Sequence, residues 1–258
     1  MNYSYTKRFD TSYTSIDRSG RLGLVESLDI NQDMITEFFG AIGSDNLVLR
    51  TKNNAAWVYT RTKMKIDGLP FWNTKTIAKS YVCSKSPIRL DIETVLTDEA
   101  ENVLFTAKTQ MCAIDFVKRS LCKISDITFP SDLDAEQPVL AEPFSKLNGI
   151  FTEDDFVLEE KIYASDTDFT RHTNNARYVK YLMNTFDADF YDTKTVAGFE
   201  IQFAKESTAG DVVRIYKKQT AAGRFDFLIK NGEEVIVKAE LSYSDKAPGD
   251  AGLPLYKS

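Results

Sequence analysis

Asp166-Thr-Asp-Phe-Thr-Arg-His-Thr-Asn-Asn-Ala-Arg-Tyr-Val-Lys-Tyr-Leu-Met183 is a polar cluster that runs straight into an amphipathic helix. It contains the only histidine of the chain, His172. Imidazole is the side chain best suited to proton transfer near neutral pH. Asp168 precedes it by one helical turn's worth of residues and can reach a ring nitrogen to fix the tautomer. Asn174 and Asn175 follow at the helix start, where backbone N–H groups stand unpaired. Runs of this kind also cap helices and make turns without doing any chemistry. What favours chemistry is the combination: acyl-group reactions need a carboxylate, an imidazole and free donors close together.

Outward from this cluster the second half reads as strand, helix and four strands. Phe156–Ala164 is strand-like, and a helix over 174–190 would bury Val179, Leu182, Met183, Phe186 and Phe190 on one face. Strands follow at Val196–Ala204, Asp211–Gln219, Arg224–Ile229 and Glu234–Ser244, with an Asn231-Gly232 hairpin turn between the last two. The first half has the same order. Tyr3–Asp17 alternates like a strand, and Leu24, Leu28, Ile35, Phe38, Phe39 and Ile42 share a helix face that stops at Gly43. Ala56–Ile66, Lys75–Val82, Ile88–Leu96 and Val103–Asp115 are the following strands. Arg89-Leu-Asp-Ile92 even looks like Arg224-Phe-Asp-Phe227. Phe129–Gly149, with Pro130, Pro138 and Pro143 and no period, reads as a linker. The expected fold is α+β, with two antiparallel sheets each wrapped around a long central helix. The expected division is 1–128, a linker over 129–150, and 151–258.

Composition narrows the function. The chain has 258 residues, 43% hydrophobic and 27% charged, as in ordinary globular proteins. No apolar run approaches the ~20 residues of a membrane span, and the N-terminus lacks an apolar signal core, so a cytoplasmic protein is expected. A net charge of −6 argues against nucleic acid as the main partner. Cys83, Cys112 and Cys122 have no metal-site spacing and read as free thiols in a reducing compartment. Neither they nor one histidine make a metal site.

The stretch Asp166–Leu182 resembles the signature of the acyl-(acyl-carrier-protein) thioesterases of plants and bacteria, Asp-x-Asn-x-His-x-Asn-Asn leading into a central helix. Trp57-Val-Tyr-Thr-Arg61 with Ile66 and Pro70 resembles the first strands of that family's N-terminal repeat. Glu200-Ile-Gln-Phe-Ala-Lys-Glu206, followed by Gly210-Asp211, resembles the strand that carries its catalytic glutamate. The likeness covers nearly the whole chain and implies a tandem, or double, hot-dog fold. Two positions depart from the pattern: Thr170 stands where the family has Asn, and Ser207 where many plant members have Cys. The second half has no cysteine at all, so a thiolate nucleophile is not assumed.

The halves are unequal. Before its helix the first offers Asp17-Arg-Ser-Gly-Arg21-Leu-Gly23, without a histidine or an Asn pair. The chemistry is therefore expected in the second half. Trp57, Tyr59, Phe71 and Trp72 are left to hold the acyl chain, as the resemblance implies, or to serve as ordinary core aromatics.

The resemblance implies hydrolysis of fatty acyl-acyl-carrier-protein to free fatty acid and carrier protein, ending fatty acid synthesis, with no cofactor. The expected attack is by an activated water. Glu206 would be the general base and His172 its partner or the proton donor to the leaving thiolate, although His172 can equally be the base. Asp168 would orient the imidazole, Thr170 would replace the family's amide, and N–H groups near Asn174 and Asn175 would meet the oxyanion. Arg171, Arg177 and Lys180 would dock the acidic carrier protein. A homodimer is allowed. The alternatives are an acyl-CoA thioesterase or another hot-dog enzyme such as a hydroxyacyl dehydratase, a non-catalytic acyl-binding module, and Glu206 as a plain exposed strand carboxylate.

Overall fold

The computed structural model describes residues 3–247. Met1, Asn2 and 248–258, which the sequence reading counts in the first and second repeats, lie outside the described residues. The chain forms two compact units that interleave along the sequence. One holds the N-terminal strand, Asp29–Gly68 and Thr74–Pro143; the other holds Thr11–Leu28, Leu69–Asn73 and the chain from Phe144 onward.

In the first unit β1 (Ser4–Asp10), β2 (Ala55–Ile66), β3 (Lys75–Lys85), β4 (Leu90–Asp98) and β5 (Val103–Asp115) lie in the order β1-β3-β4-β5-β2, every pair antiparallel. A short β6 (Ser120–Leu121) folds back on β5. Helix α1 (Leu24–Ala41) places Ile35, Phe38 and Phe39 against Trp57, Leu90 and Met111 of the strands. Their spacing is the three-and-four step that puts side chains on one helical face. Phe39 stacks on Trp57 at 4.8 Å, and the indole N–H donates to Ser44 O at 2.7 Å. Past the end of α1, Gly43 takes φ +67° and Ser44 N reaches back to Phe39 O. A further helix absent from the sequence reading, α2 (Asn46–Asn53), begins where Asp45 caps Leu47 and Val48 N–H. Ser44-Asp45-Asn46 ahead of an apolar run was its signal.

In the second unit β7 (Phe156–Lys161), β8 (Lys194–Phe203), β9 (Val212–Ala221), β10 (Arg224–Asn231) and β11 (Glu234–Asp245) run β7-β9-β10-β11-β8. This is the strand order of the first unit. The single helix expected over 174–190 is instead two: α3 (Asn175–Met183) and α4 (Ala188–Thr193). The break follows from Asp187, whose carboxylate accepts Phe190 N–H and starts a new helix. Phe186 still stacks on Phe190, at 3.9 Å. In the last hairpin Asn231 pairs with Glu234, so Gly232 and Glu233 form the turn, and Gly232 takes φ +57°. The molecule is thus α+β, built of antiparallel strands with few helices.

The proline-rich segment read as a linker has no helix or strand, yet it is ordered by buried groups. Glu93, fully buried, accepts Val139 N–H, Leu140 N–H and Tyr81 O–H at 2.7–2.9 Å. Directly across the sheet, Lys108 donates to Leu140 O and Glu142 O. Charged groups of this kind are rarely buried unless satisfied on all sides. As far as Pro143 the segment is a strap tied to the first unit's sheet; from Phe144 it belongs to the second unit, where Ser145 N–H donates to Glu200. No described helix is long and apolar enough to cross a membrane.

Candidate active site

The loop ahead of α3 is built by its own side chains. Asp168 N–H donates to His172 O, and Arg171 N–H to Asp168 O, both at 2.9 Å. Arg171 takes φ +70° to close this turn. The Asp168 carboxylate accepts Thr170 N–H at 2.7 Å and Thr170 O–H at 2.5 Å, an Asx turn. The loop is joined to the segment after β8 through Thr173 N–H to Ser207 O at 2.8 Å and a bridge between His172 and Thr208. That pairing brings His172 Nε2 to 3.2 Å from Glu206 Oε2. The imidazole is about one-third exposed and the carboxylate about two-thirds.

Asp168 does not touch the imidazole directly, contrary to the sequence reading. Thr170 Oγ1 stands between them, 2.5 Å from Asp168 and 3.1 Å from His172 Nδ1. The hydroxyl has one hydrogen, and the carboxylate can only accept it. Its lone pair must therefore accept Nδ1–H. Nε2 then faces a carboxylate oxygen, and the contact is favourable only with one proton between Nε2 and Oε2. The other Glu206 oxygen has no hydrogen-bond partner among the described residues, so it is available to a water.

The first half contains the same loop without a histidine. Asp17 N–H donates to Arg21 O, Gly20 N–H to Asp17 O, and Leu22 N–H to Pro70 O. Ser19 gives Asp17 the same two hydrogen bonds, at 2.7 and 2.6 Å. Arg21 holds the position of His172; it donates to Leu69 O at 2.8 Å and lies 3.6 Å over the Phe71 ring. An Asp with Ser or Thr two residues on therefore makes this turn whether or not a histidine follows. Only the hydroxyl's second contact, to Nδ1, is peculiar to the second half.

The remaining expected residues divide. Asn174 is a helix cap: its side chain accepts Ala176 N–H, and its own N–H goes to Asp166 O, both at 2.9 Å. Asn175 N–H has no partner among the described residues. Arg171 and Lys180 are exposed, Arg177 is half-buried, and no ion pair engages them among the described residues. Trp57 is a core residue, and Phe71 is occupied by Arg21. Burial pushes the Cys83 thiol up to about 12 and raises Cys112 and Cys122 as well, the opposite of an activated thiol. No group of three or more His, Cys, Asp or Glu that could hold a metal occurs among the described residues. Ser207, Thr173 and Tyr178 form a buried hydroxyl cluster beside Glu206 to which the sequence reading gave no role. The one signal was Ser207 itself, a polar residue next to Glu206; past the end of β8 it is buried where Glu206 is exposed.

Residues 2–129 match the acyl-ACP thioesterase N-terminal domain, and residues 151–245 match the acyl-ACP thioesterase C-terminal domain. A palmitoyl-acyl carrier protein thioesterase, chloroplastic, from Gossypium hirsutum is 24% identical over 178 residues, covering 63% of this chain. The match spans about two fifths of that relative, 41% of its length. An acyl-ACP thioesterase from Bacteroides thetaiotaomicron superposes with a TM-score of 0.86 at 20% identity, over 94% of this chain and 98% of its own. The 12:0-ACP thioesterase from Umbellularia californica gives 0.80 at 14% identity, over 95% and 99%. At these identities the likeness is one of fold.

Proposed function

Since the chain belongs to the acyl-ACP thioesterase family, matching both of its domains, we propose that it hydrolyses fatty acyl-acyl-carrier-protein to fatty acid and free carrier protein. The observation that carries this reading is the His172–Glu206 pair, with Thr170 holding Nδ1 and one carboxylate oxygen open. Glu206 takes a proton from a water whose oxygen attacks the thioester carbonyl carbon. The oxyanion that forms is met by Asn175 N–H at the positive end of α3. As the C–S bond breaks, the Nε2 proton passes to the leaving sulfur. The proton gained by Glu206 then returns to its place between Oε2 and Nε2. No covalent intermediate is needed. Ser207, at the position of the family's cysteine, is buried and hydrogen-bonded away from this pair.

The wider reading supports a division of labour. On this reading the first repeat, within 1–128, holds the acyl chain, 129–150 connect, and the second, within 151–258, is catalytic, each a hot-dog repeat of antiparallel strands packed with helix. The shared strand order supports this, as does the packing of α1 on its strands. A reducing, cytoplasmic setting accords with three unpaired cysteines. The test is to incubate the protein with acyl-carrier-protein and acyl-CoA thioesters of several lengths and follow free thiol. Faster release from the carrier protein is expected. Preference for CoA would make it an acyl-CoA thioesterase, and no thiol from any substrate would leave an acyl-binding module.

Thr170→Val should lower kcat/KM by about 3–10-fold, because a hydrogen bond in this half-exposed loop is worth ~0.5–1.5 kcal/mol, while Thr170→Ser stays near the parent. Thr170→Asn, the family's residue, should match or exceed the parent. An unimpaired Val variant would reduce Thr170 to a spacer.

Docking through Arg171, Arg177 and Lys180 implies salt sensitivity. Raising ionic strength to about 0.15 M and beyond shortens the reach of exposed charges to roughly 8 Å or less. Turnover of carrier-bound substrate should fall, while the same acyl group on a small uncharged thiol should be nearly unaffected. Equal sensitivity for both substrates would remove these three residues from the docking surface.

A further inference from the structure

The hydroxyls behind Glu206 form a chain whose direction is determined. Thr173 Oγ1 donates to Ser207 O at 3.1 Å and lies 2.9 Å from Ser207 Oγ. Having one hydrogen, already given to the carbonyl, it must accept from Ser207. Ser207 Oγ has then used its own hydrogen and must accept from Tyr178 Oη, 2.7 Å away. The order is Tyr178 to Ser207 to Thr173 to the Ser207 carbonyl. Burial raises the Tyr178 phenol above its ordinary range, so it remains a donor at working pH. All three residues are buried, at 2%, 2% and 5% exposure.

This chain fixes position 207 against position 173 with three hydroxyls and one backbone bond. Their immediate neighbours are Glu206 and His172. The twin loop in the first half has the backbone bond alone: Leu22 and Pro70 occupy these two places, and neither has a hydroxyl. The hydroxyl chain therefore accompanies the catalytic pair and is not needed to make the loop. We propose that Tyr178, acting through Ser207 and Thr173, is a positioning residue that holds the Glu206 carboxylate in register with His172. The proposal rests on Glu206 being the general base. Tyr178 belongs to α3, whose N-terminus carries Asn175. One helix thus sets both the carboxylate and the oxyanion donor, which keeps the attacking water and the polarised carbonyl in a fixed relation.

The test is a double-mutant cycle on the full chain, using Tyr178→Phe, Ser207→Ala and Glu206→Gln, each with melting temperature, kcat and KM. Tyr178→Phe removes one oxygen and keeps the ring against Phe203. It should lower kcat about tenfold and leave KM within about twofold, because the loss is in the reacting geometry. Ser207→Ala, which removes both side-chain bonds, should lower kcat further. In the Glu206→Gln background neither change should cost anything more, since the group being positioned is gone. Equal losses in both backgrounds would overturn the positioning role and leave the cluster as core packing. Near-parental activity of Glu206→Gln by itself would overturn Glu206 as base, and the positioning role with it. A Tyr178→Phe variant with unchanged kcat would overturn the positioning role alone.

Discussion

Replacing His172 by Ala, or Glu206 by Gln, should lower kcat/KM for thioester hydrolysis by about 10²–10⁴-fold, the usual contribution of one positioned acid or base. Melting should stay near the parent, because both side chains are partly exposed and substitutions at such places usually change stability by ~0.5 kcal/mol or less. The two groups share one proton, so they act as a unit. The double variant should therefore be little worse than the poorer single variant, as is general for catalytic groups that work together. The measurement is kcat/KM for parent, singles and double, beside a melting curve for each. A multiplicative double variant would mean that the 3.2 Å contact does not operate during turnover. Near-parental activity of His172→Ala would remove the catalytic reading of the loop altogether.

Glu93→Ala should be the most damaging single change to stability. It leaves Tyr81 O–H, Val139 N–H and Leu140 N–H without their acceptor at a fully buried place. It also leaves Lys108 facing an alanine across the sheet. Each unsatisfied donor costs about 1–3 kcal/mol, and removing one member of a buried charged set typically costs about 3–5 kcal/mol in all. For a chain of this size that is roughly a 10 °C fall in melting temperature. Glu136→Ala is the control. It breaks a half-exposed pair with Lys79 on the same strap, an interaction worth about 0–1 kcal/mol. If the two variants melt alike, the strap is not held by Glu93. Because the strap follows the first unit's strands, its loosening should show as protease cleavage between Glu136 and Pro143 before global unfolding.

Much of the fold was open to reading because its elements repeat. Val103–Asp115 was bounded correctly at both ends: it is a long run rich in apolar and β-branched residues, set off in front by the polar stretch from Asp98 to Asn102. The helix expected over 174–190 failed at Asn184. There the apolar spacing of Phe186 and Phe190 continues in helical register while the backbone is interrupted, and a period in side chains cannot report a break that a capping carboxylate makes. The strap was read as a linker for a similar reason. Prolines and missing period exclude helix and strand, but say nothing of a buried Glu and Lys elsewhere waiting for its backbone.

By itself the sequence determined the duplication and the α+β class, from local pattern, and offered Asp168 and His172 as candidates from residue chemistry. Glu206 and Thr170 joined them through the family resemblance. Tertiary structure alone decided how the candidates connect. Thr170 lies between Asp168 and the imidazole, Asn174 spends its donor on Asp166 while Asn175 keeps its own, and Glu206 meets His172 on the side opposite Thr170. Those relations depend on pairing between Thr173 and Ser207, 34 residues apart in the chain. A hydrogen bond across that separation is set by how the whole sheet closes, and no periodicity within either segment encodes it.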